Sequence, residues 1–159
     1  MGDITDDPTR STRRHFLLGA AGIAIAPMLV SRRAQATPES LKVAIKRVVG
    51  EAALKEGRIK LDLPPLVENG NAVPLAVSVE SPMTAKDHVK AIHIFTEKNP
   101  QPNVASFHIG PRAGKASVST RMRLADTQQV TAIAEMSDGT FWTDSVEVVI
   151  TLSACMEDM

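Results

Sequence analysis

Tyrosine is absent, tryptophan occurs once and aromatic residues make up 3% of the 159-residue chain. The stacking platforms on which single-stranded nucleic acid is usually held are therefore missing. Neither charge is in excess: 18 basic residues face 18 acidic ones, and that balance draws the chain to neither a polyanion nor an anionic membrane. The one cysteine, Cys155, excludes an intramolecular disulfide and a cysteine-rich zinc site. A membrane-spanning helix needs roughly 20 apolar residues, and the run from Phe16 to Val30 has 15, interrupted by Gly19, Gly22 and Pro27. A serine nucleophile elbow, a glycine-rich phosphate loop and a metalloprotease helix are also missing. What is present is 43% hydrophobic content at a length typical of one domain, enough for a self-sufficient apolar core.

The short apolar run reads as part of an address. Polar residues from Met1 lead into Thr12-Arg13-Arg14-His15-Phe16-Leu17, the apolar run follows, and Ala34-Gln35-Ala36 offers the small side chains that a signal peptidase accepts. Residues 1–36 are thus expected to be a signal peptide cut before Thr37. The arginine pair followed by Phe-Leu resembles a twin-arginine signal, which implies export of a folded protein to the periplasm. Cleavage removes five basic residues (Arg10, Arg13, Arg14, Arg32, Arg33) and three acidic ones (Asp3, Asp6, Asp7), leaving 13 basic against 15 acidic. No membrane association is expected after cleavage.

The remainder reads as one all-β domain, residues 37–152, preceded by a helix and followed by a tail, residues 153–159. Thr37-Pro38-Glu39 has the chemistry of a helix start: a hydroxyl at the N-cap, proline at the first helical position and an acid in the first turn. Leu41, Ala44, Ile45, Val48 and Val49 then form a helical stripe, Gly50 supplies a stop, and a further helical turn is expected between Glu51 and Glu56. From Gly57 the period becomes two. Ile59/Leu61/Leu63 and Val73/Leu75/Val77/Val79 alternate with polar or small residues, as in half-buried antiparallel strands. Further strands are expected at Val89 to Thr96, Val104 to Ile109, Ala116 to Leu124, Gln129 to Met136 and Phe141 to Leu152. The separators, among them Glu68-Asn69-Gly70-Asn71, Asn99-Pro100-Gln101-Pro102 and Ser137-Asp138-Gly139, carry turn chemistry. Seven short strands at this spacing predict an antiparallel β-sandwich. Its core is expected from Phe95, Phe107 and Phe141 or Trp142 with the alternating aliphatics, and the helix is expected outside it.

Candidates for chemistry are few. His88, His93 and His108 remain after cleavage, but no two are spaced as a metal pair on one strand face, and the reading for each is structural or on the surface. Glu157 and Asp158 are adjacent near the terminus, and the other carboxylates are scattered on polar strand faces. Cys155, Met156 and Met159 bring together one thiol and two thioethers, soft ligands that suit Cu(I), so a soft-metal binding protein is one alternative. Met83, Met122 and Met136 read as gap-fillers of the core. Cys155 stands just past the point where the alternation Val146/Val148/Ile150/Leu152 fades. A lone thiol there, in an exported protein, is either reactive by function or a liability.

Several motifs in order resemble the SoxY family of thiosulfate-oxidation carrier proteins. They are Glu68-Asn69-Gly70-Asn71-Ala72-Val73-Pro74, Ser81-Pro82-Met83-Thr84, Val89-Lys90-Ala91-Ile92-His93-Ile94-Phe95 and Asn99-Pro100-Gln101-Pro102-Asn103-Val104-Ala105. Ser119-Thr120-Arg121-Met122-Arg123-Leu124-Ala125 and Ala134-Glu135-Met136-Ser137-Asp138-Gly139-Thr140-Phe141-Trp142 complete the set. The resemblance implies an immunoglobulin-like β-sandwich, a heterodimer with a SoxZ-like protein and work in the periplasm with other sulfur-oxidation enzymes. It also implies a protein that is not itself an enzyme and has no cofactor and no resident metal. The family's working group is a cysteine on a Gly-Gly-Cys-Gly-Gly tail, to which sulfur intermediates are covalently attached; carried over, this makes Cys155 the attachment residue. Here the tail reads Ser153-Ala154-Cys155-Met156-Glu157-Asp158-Met159. A second expectation is therefore a SoxY paralogue that binds SoxZ without carrying sulfur.

Overall fold

The computed structural model describes residues 37–152. They form three layers: a helix, a six-stranded sheet and a three-stranded sheet. Helix α1 (Pro38–Val49) starts as its sequence predicts. Thr37 Oγ1 accepts from the Ser40 N–H at 3.2 Å while Ser40 Oγ accepts from the Thr37 N–H at 2.8 Å, a reciprocal cap that satisfies two otherwise unpaired donors. It ends at Gly50, whose φ of 62° suits a residue without Cβ.

Strands β1 (Leu54–Lys55), β2 (Ile59–Asp62), β3 (Leu66–Asn69), β4 (Val73–Val79), β5 (Val89–Thr96), β6 (Asn103–His108), β7 (Ser117–Met122), β8 (Gln128–Met136) and β9 (Phe141–Leu152) follow. The larger sheet runs β1-β9-β8-β5-β6, with β3 also on β9; the smaller is β2-β4-β7. Seven of these strands match the expected ones to within two residues at either end. The Asp138-Gly139 turn joins β8 to β9, with Gly139 at φ 80°.

Two elements differ from the sequence reading. Glu51 to Glu56 does not form a helical turn: Leu54 and Lys55 leave the chain as a two-residue strand, pairing in parallel with Phe141 and Trp142. Glu68 and Asn69, expected in a turn, belong to β3, which lies parallel to β9 with Leu66 opposite Val149 and Asn69 opposite Leu152. Both short strands use the outer edge of β9, so their conformation is set by backbone groups of a distant segment and not by their own alternation.

The apolar core fills the space between the sheets. Ile59, Leu61, Val73, Leu75, Val77 and Val79 of the small sheet meet Ile92, Ile94, Val130, Ala132, Val148 and Ile150 of the large one. Met83, Met122 and Met136 are buried in it, as gap-fillers should be. The aromatic residues are placed differently from the expectation of a common core. Phe95 and Phe141 are buried, but with Ile133 they form a second cluster on the other face of the large sheet, against Leu41, Ala44, Ile45, Val48 and Val49 of α1. Phe107 and Trp142 pack partly buried against the inter-sheet core. The large sheet is covered on both faces, by β2-β4-β7 on one and by α1 on the other, so β5 and β8 carry apolar residues at both inward and outward positions, and at the start of β9 Phe141 faces α1 while Trp142 faces the inter-sheet core.

Candidate functional site

Cys155 lies outside the described residues, three positions past Leu152, and with it lie the tail and the expected signal peptide. The structure does define the base from which that tail leaves. β9 is held on one side by β8, with Gln128 opposite Val148, and on the other by β3 as far as Asn69 opposite Leu152. Side chains add to the ladder. Thr127 Oγ1 accepts from the Ile150 N–H at 2.9 Å, and Thr151 Oγ1 donates to the Glu68 carbonyl at 3.0 Å.

The loops around this end are fixed from inside. Gln128, 2% exposed, donates through Nε2 to Asn99 Oδ1 at 3.0 Å and accepts at Oε1 from the Lys98 N–H at 2.7 Å. Asn99 in turn donates to the Arg123 carbonyl and accepts from the Ala125 N–H, at 2.8 and 2.9 Å. A buried amide pair with its hydrogen bonds made is a rigid device. It ties the loop after β5 to the loop before β8, at the end of the sandwich where β9 stops.

The histidines occupy a different place. His93 and His108 share the outer face of the large sheet, where the β5–β6 register sets His93 opposite Ser106 and Ala91 opposite His108. Their ring centroids are 6.3 Å apart, edge to face, and His93 Nδ1 is 2.8 Å from Ser106 Oγ. His93 is only 7% exposed and its Nε2 has no hydrogen-bond partner. Burial holds its pKa below the ordinary histidine value, with nearby Glu135 opposing that shift and His108 adding to it. His88 Nδ1 is 3.0 Å from the Thr84 carbonyl. Among the described residues, no group of three or more His, Cys, Asp or Glu side chains is arranged to hold a metal ion. Sequence reasoning did not bring His93 and His108 together, because their proximity exists only across two strands.

An open depression of about 700 Å³ on the small sheet, lined by Asp62, Pro74, Ala76, Ser119 and Arg121 among others, contains no paired nucleophile and base. At the end of the sandwich opposite to the tail, the Trp142 ring has the Lys55 ammonium and the Arg58 guanidinium each 5.6 Å from its centroid. Arg58 is committed to the Glu80 carbonyl and to Asp87, which makes this a structural stack. Among the described residues, none of these arrangements pairs a nucleophile with a base.

Comparison with known proteins agrees with this architecture. The family model for sulfur oxidation protein SoxY matches residues 45–155, so the matched stretch ends on Cys155 itself. The solved structure of the sulfur carrier protein SoxY from Chlorobium limicola f thiosulfatophilum is 33% identical, with 72% of this chain and 98% of that one covered and a TM-score of 0.60. A superoxide reductase (neelaredoxin) from Ignicoccus hospitalis superposes with a TM-score of 0.53 at 18% identity, covering 72% of this chain and 94% of the other. A putative superoxide reductase from Thermotoga maritima does so with the same score and identity over 61% and 93%; at that identity the likeness is one of fold alone. No curated protein matches the chain. The family match over most of the domain and the identity to a solved SoxY, on the same sandwich, make this chain a member of the SoxY family.

Proposed function

We propose that this chain is a sulfur carrier of the thiosulfate-oxidation pathway and that Cys155 is the residue to which sulfur intermediates are covalently attached. The observation that carries this reading is the family match ending on the only cysteine, on a segment that begins where β9 is pinned on both flanks. The domain acts as a handle and the thiol as the load point. Separate enzymes do the chemistry, so the chain is a bearer of substrate and not a catalyst. By the twin-arginine resemblance of residues 1–36 it works in the periplasm, and by the family resemblance it works with a SoxZ-like partner.

The test is the intact mass of the protein recovered from cells oxidising thiosulfate. A sulfur adduct is expected on Cys155 and is expected to vanish in Cys155→Ser. A second reading, a SoxZ-binding paralogue without carrier activity, is favoured by one observation: Ser153, Ala154, Met156 and Glu157 stand around the thiol where the family has glycines, and Asp158 and Met159 extend beyond them. Carboxylates near a thiol disfavour the thiolate, and Met156 adds width that a narrow enzyme cleft must admit. Replacing Ala154 and Met156 by glycine is expected to speed loading. If the unmodified chain stays unloaded while a glycine-tailed relative in the same cells is loaded, the paralogue reading replaces the carrier reading.

A further inference from the structure

The carrier reading makes no use of the histidine pair on the outer face of the large sheet. His93 of β5 and His108 of β6 are diagonal neighbours, since the register sets Ser106 opposite His93 and His108 opposite Ala91. Because residue 91 is alanine, no bulky side chain stands opposite His108, and its ring meets that of His93 edge-on at 6.3 Å between centroids.

Hydrogen bonding decides which nitrogen of His93 is available. Ser106 Oγ carries a single proton, and Asn103 Oδ1 lies 3.4 Å away to accept it. The same oxygen, 2.8 Å from His93 Nδ1, then accepts from the Nδ1–H, which leaves Nε2 as a bare lone pair. That nitrogen is sealed from water and has no partner, in a side chain only 7% exposed. A buried polar atom without a hydrogen bond calls for a ligand or an explanation. Burial lowers the pKa of His93, with Glu135 opposing and His108 adding to the shift, so the lone pair stays unprotonated at neutral pH. A neutral imidazole with one N–H tied to a neighbouring oxygen and the other nitrogen bare is the form in which histidine binds a metal ion. His108 is exposed, and among the described residues its ring nitrogens have no hydrogen-bond partner, so its ring can turn toward a shared ion. Glu135, opposite Ala91 on β8 and ion-paired with Lys90, adds a carboxylate on the third strand.

We propose that His93 Nε2 and a ring nitrogen of His108 bind one divalent transition-metal ion of the zinc class, bridging β5 and β6. Imidazole nitrogen favours this class over magnesium and calcium, which take oxygen ligands. Among the described residues no third His, Cys, Asp or Glu is arranged to complete the set, so the remaining positions of the ion fall to water or to a ligand from outside. Metal–nitrogen bonds of about 2.0–2.1 Å require the rings to close on each other, and His108 does the moving because His93 is held by Ser106. The ion would fasten β6, none of whose six residues is buried, to β5, buried at seven positions of eight. The site uses neither Cys155 nor its tail and stands whatever the thiol carries.

Titration of the purified, metal-free chain with zinc chloride, read by the ring-nitrogen resonances of its histidines, tests this directly. About one equivalent of zinc is expected to shift His93 Nε2 and one nitrogen of His108 and to leave His88 in place, and magnesium chloride at the same concentration is expected to shift none of them. By calorimetry, His108→Ala is expected to weaken zinc binding at least 10-fold. Ser106→Ala removes the orienting hydrogen bond and no ligand, and is expected to weaken it about 10-fold. Both positions are exposed, so both variants are expected to fold. Cys155→Ser is expected to keep the His93 and His108 shifts. Zinc uptake that leaves the His93 and His108 resonances fixed overturns the assignment, as does binding unchanged in His108→Ala or no uptake from millimolar zinc. Loss of the shifts in Cys155→Ser would place the ion on the tail thiol and overturn it as well.

Discussion

The two faces of the large sheet are built to different rules. Its inner face is aliphatic, Ile92, Ile94, Val130, Ala132 and Val148 against a second sheet. Its outer face mixes Phe95, Ile133 and Phe141 with His93 and Thr131 under a single helix. The inner layer is closed by many strands contributed from along the chain. The outer layer depends on one twelve-residue helix none of whose residues is fully buried. An isolated helix of that length is marginal in water, so α1 is stable as long as the aromatic pair beneath it is in place, and the pair stays dry as long as α1 is there.

Phe95→Ala should have the largest effect, a loss of about 3–5 kcal/mol measured by denaturant unfolding, since Phe95 is fully buried. A loss below ~1 kcal/mol would show that the helix layer contributes little to the fold. Ile92→Ala on the inner face should cost about 2–5 kcal/mol. The informative comparison is where each loss is felt. If the two faces belong to one cooperative unit, both variants lower a single transition. If the helix layer opens by itself, Phe95→Ala speeds amide exchange in α1 ahead of β8, and Ile92→Ala does not. Thr37→Ala removes the cap acceptor and should cost about 1 kcal/mol, visible chiefly as fraying of the first turn of α1.

The smallest effect is one of pH. His93 has its pKa lowered by burial in the folded state, so the unfolded chain binds that proton more readily. Its contribution to stability is complete above the ordinary histidine pKa of about 6.5 and declines as the pH falls below it. The melting temperature should therefore drop from pH 7.5 to pH 5.5, and His93→Gln should show a shallower drop. An unchanged slope in that variant would assign the acid sensitivity to other groups.

How much of this was legible in the sequence follows from the same contrast. Alternation marks a strand with one dry face, and β2 and β4, buried at every second residue, were readable for that reason. β5 and β8 are dry on both faces, so their near-continuous apolar runs reveal strands but not which side each residue takes, and Phe95 lies in the helix layer and not in the inter-sheet core expected for it. β1 and β3 are short and mostly exposed, and what makes them strands is the edge of β9. The lone cysteine was conspicuous because composition alone singles it out. The meeting of His93 and His108 was not, since it depends on the β5–β6 register and on the register shift at Ile94/Phe95, both set by tertiary pairing.

The double clamp on the last residues of β9 has a kinetic consequence. From Leu152, three residues of contour allow the Cys155 α-carbon to stand no more than about 10 Å away, whatever path they take. On the carrier function proposed above, an enzyme docked on the domain would meet the thiol at an effective concentration of millimolar or more, independent of how dilute the protein is in bulk. Lengthening that leash by inserted residues would lower this local concentration with roughly the three-halves power of its length. Release of β3 from β9 would do the same without changing the sequence of the tail at all.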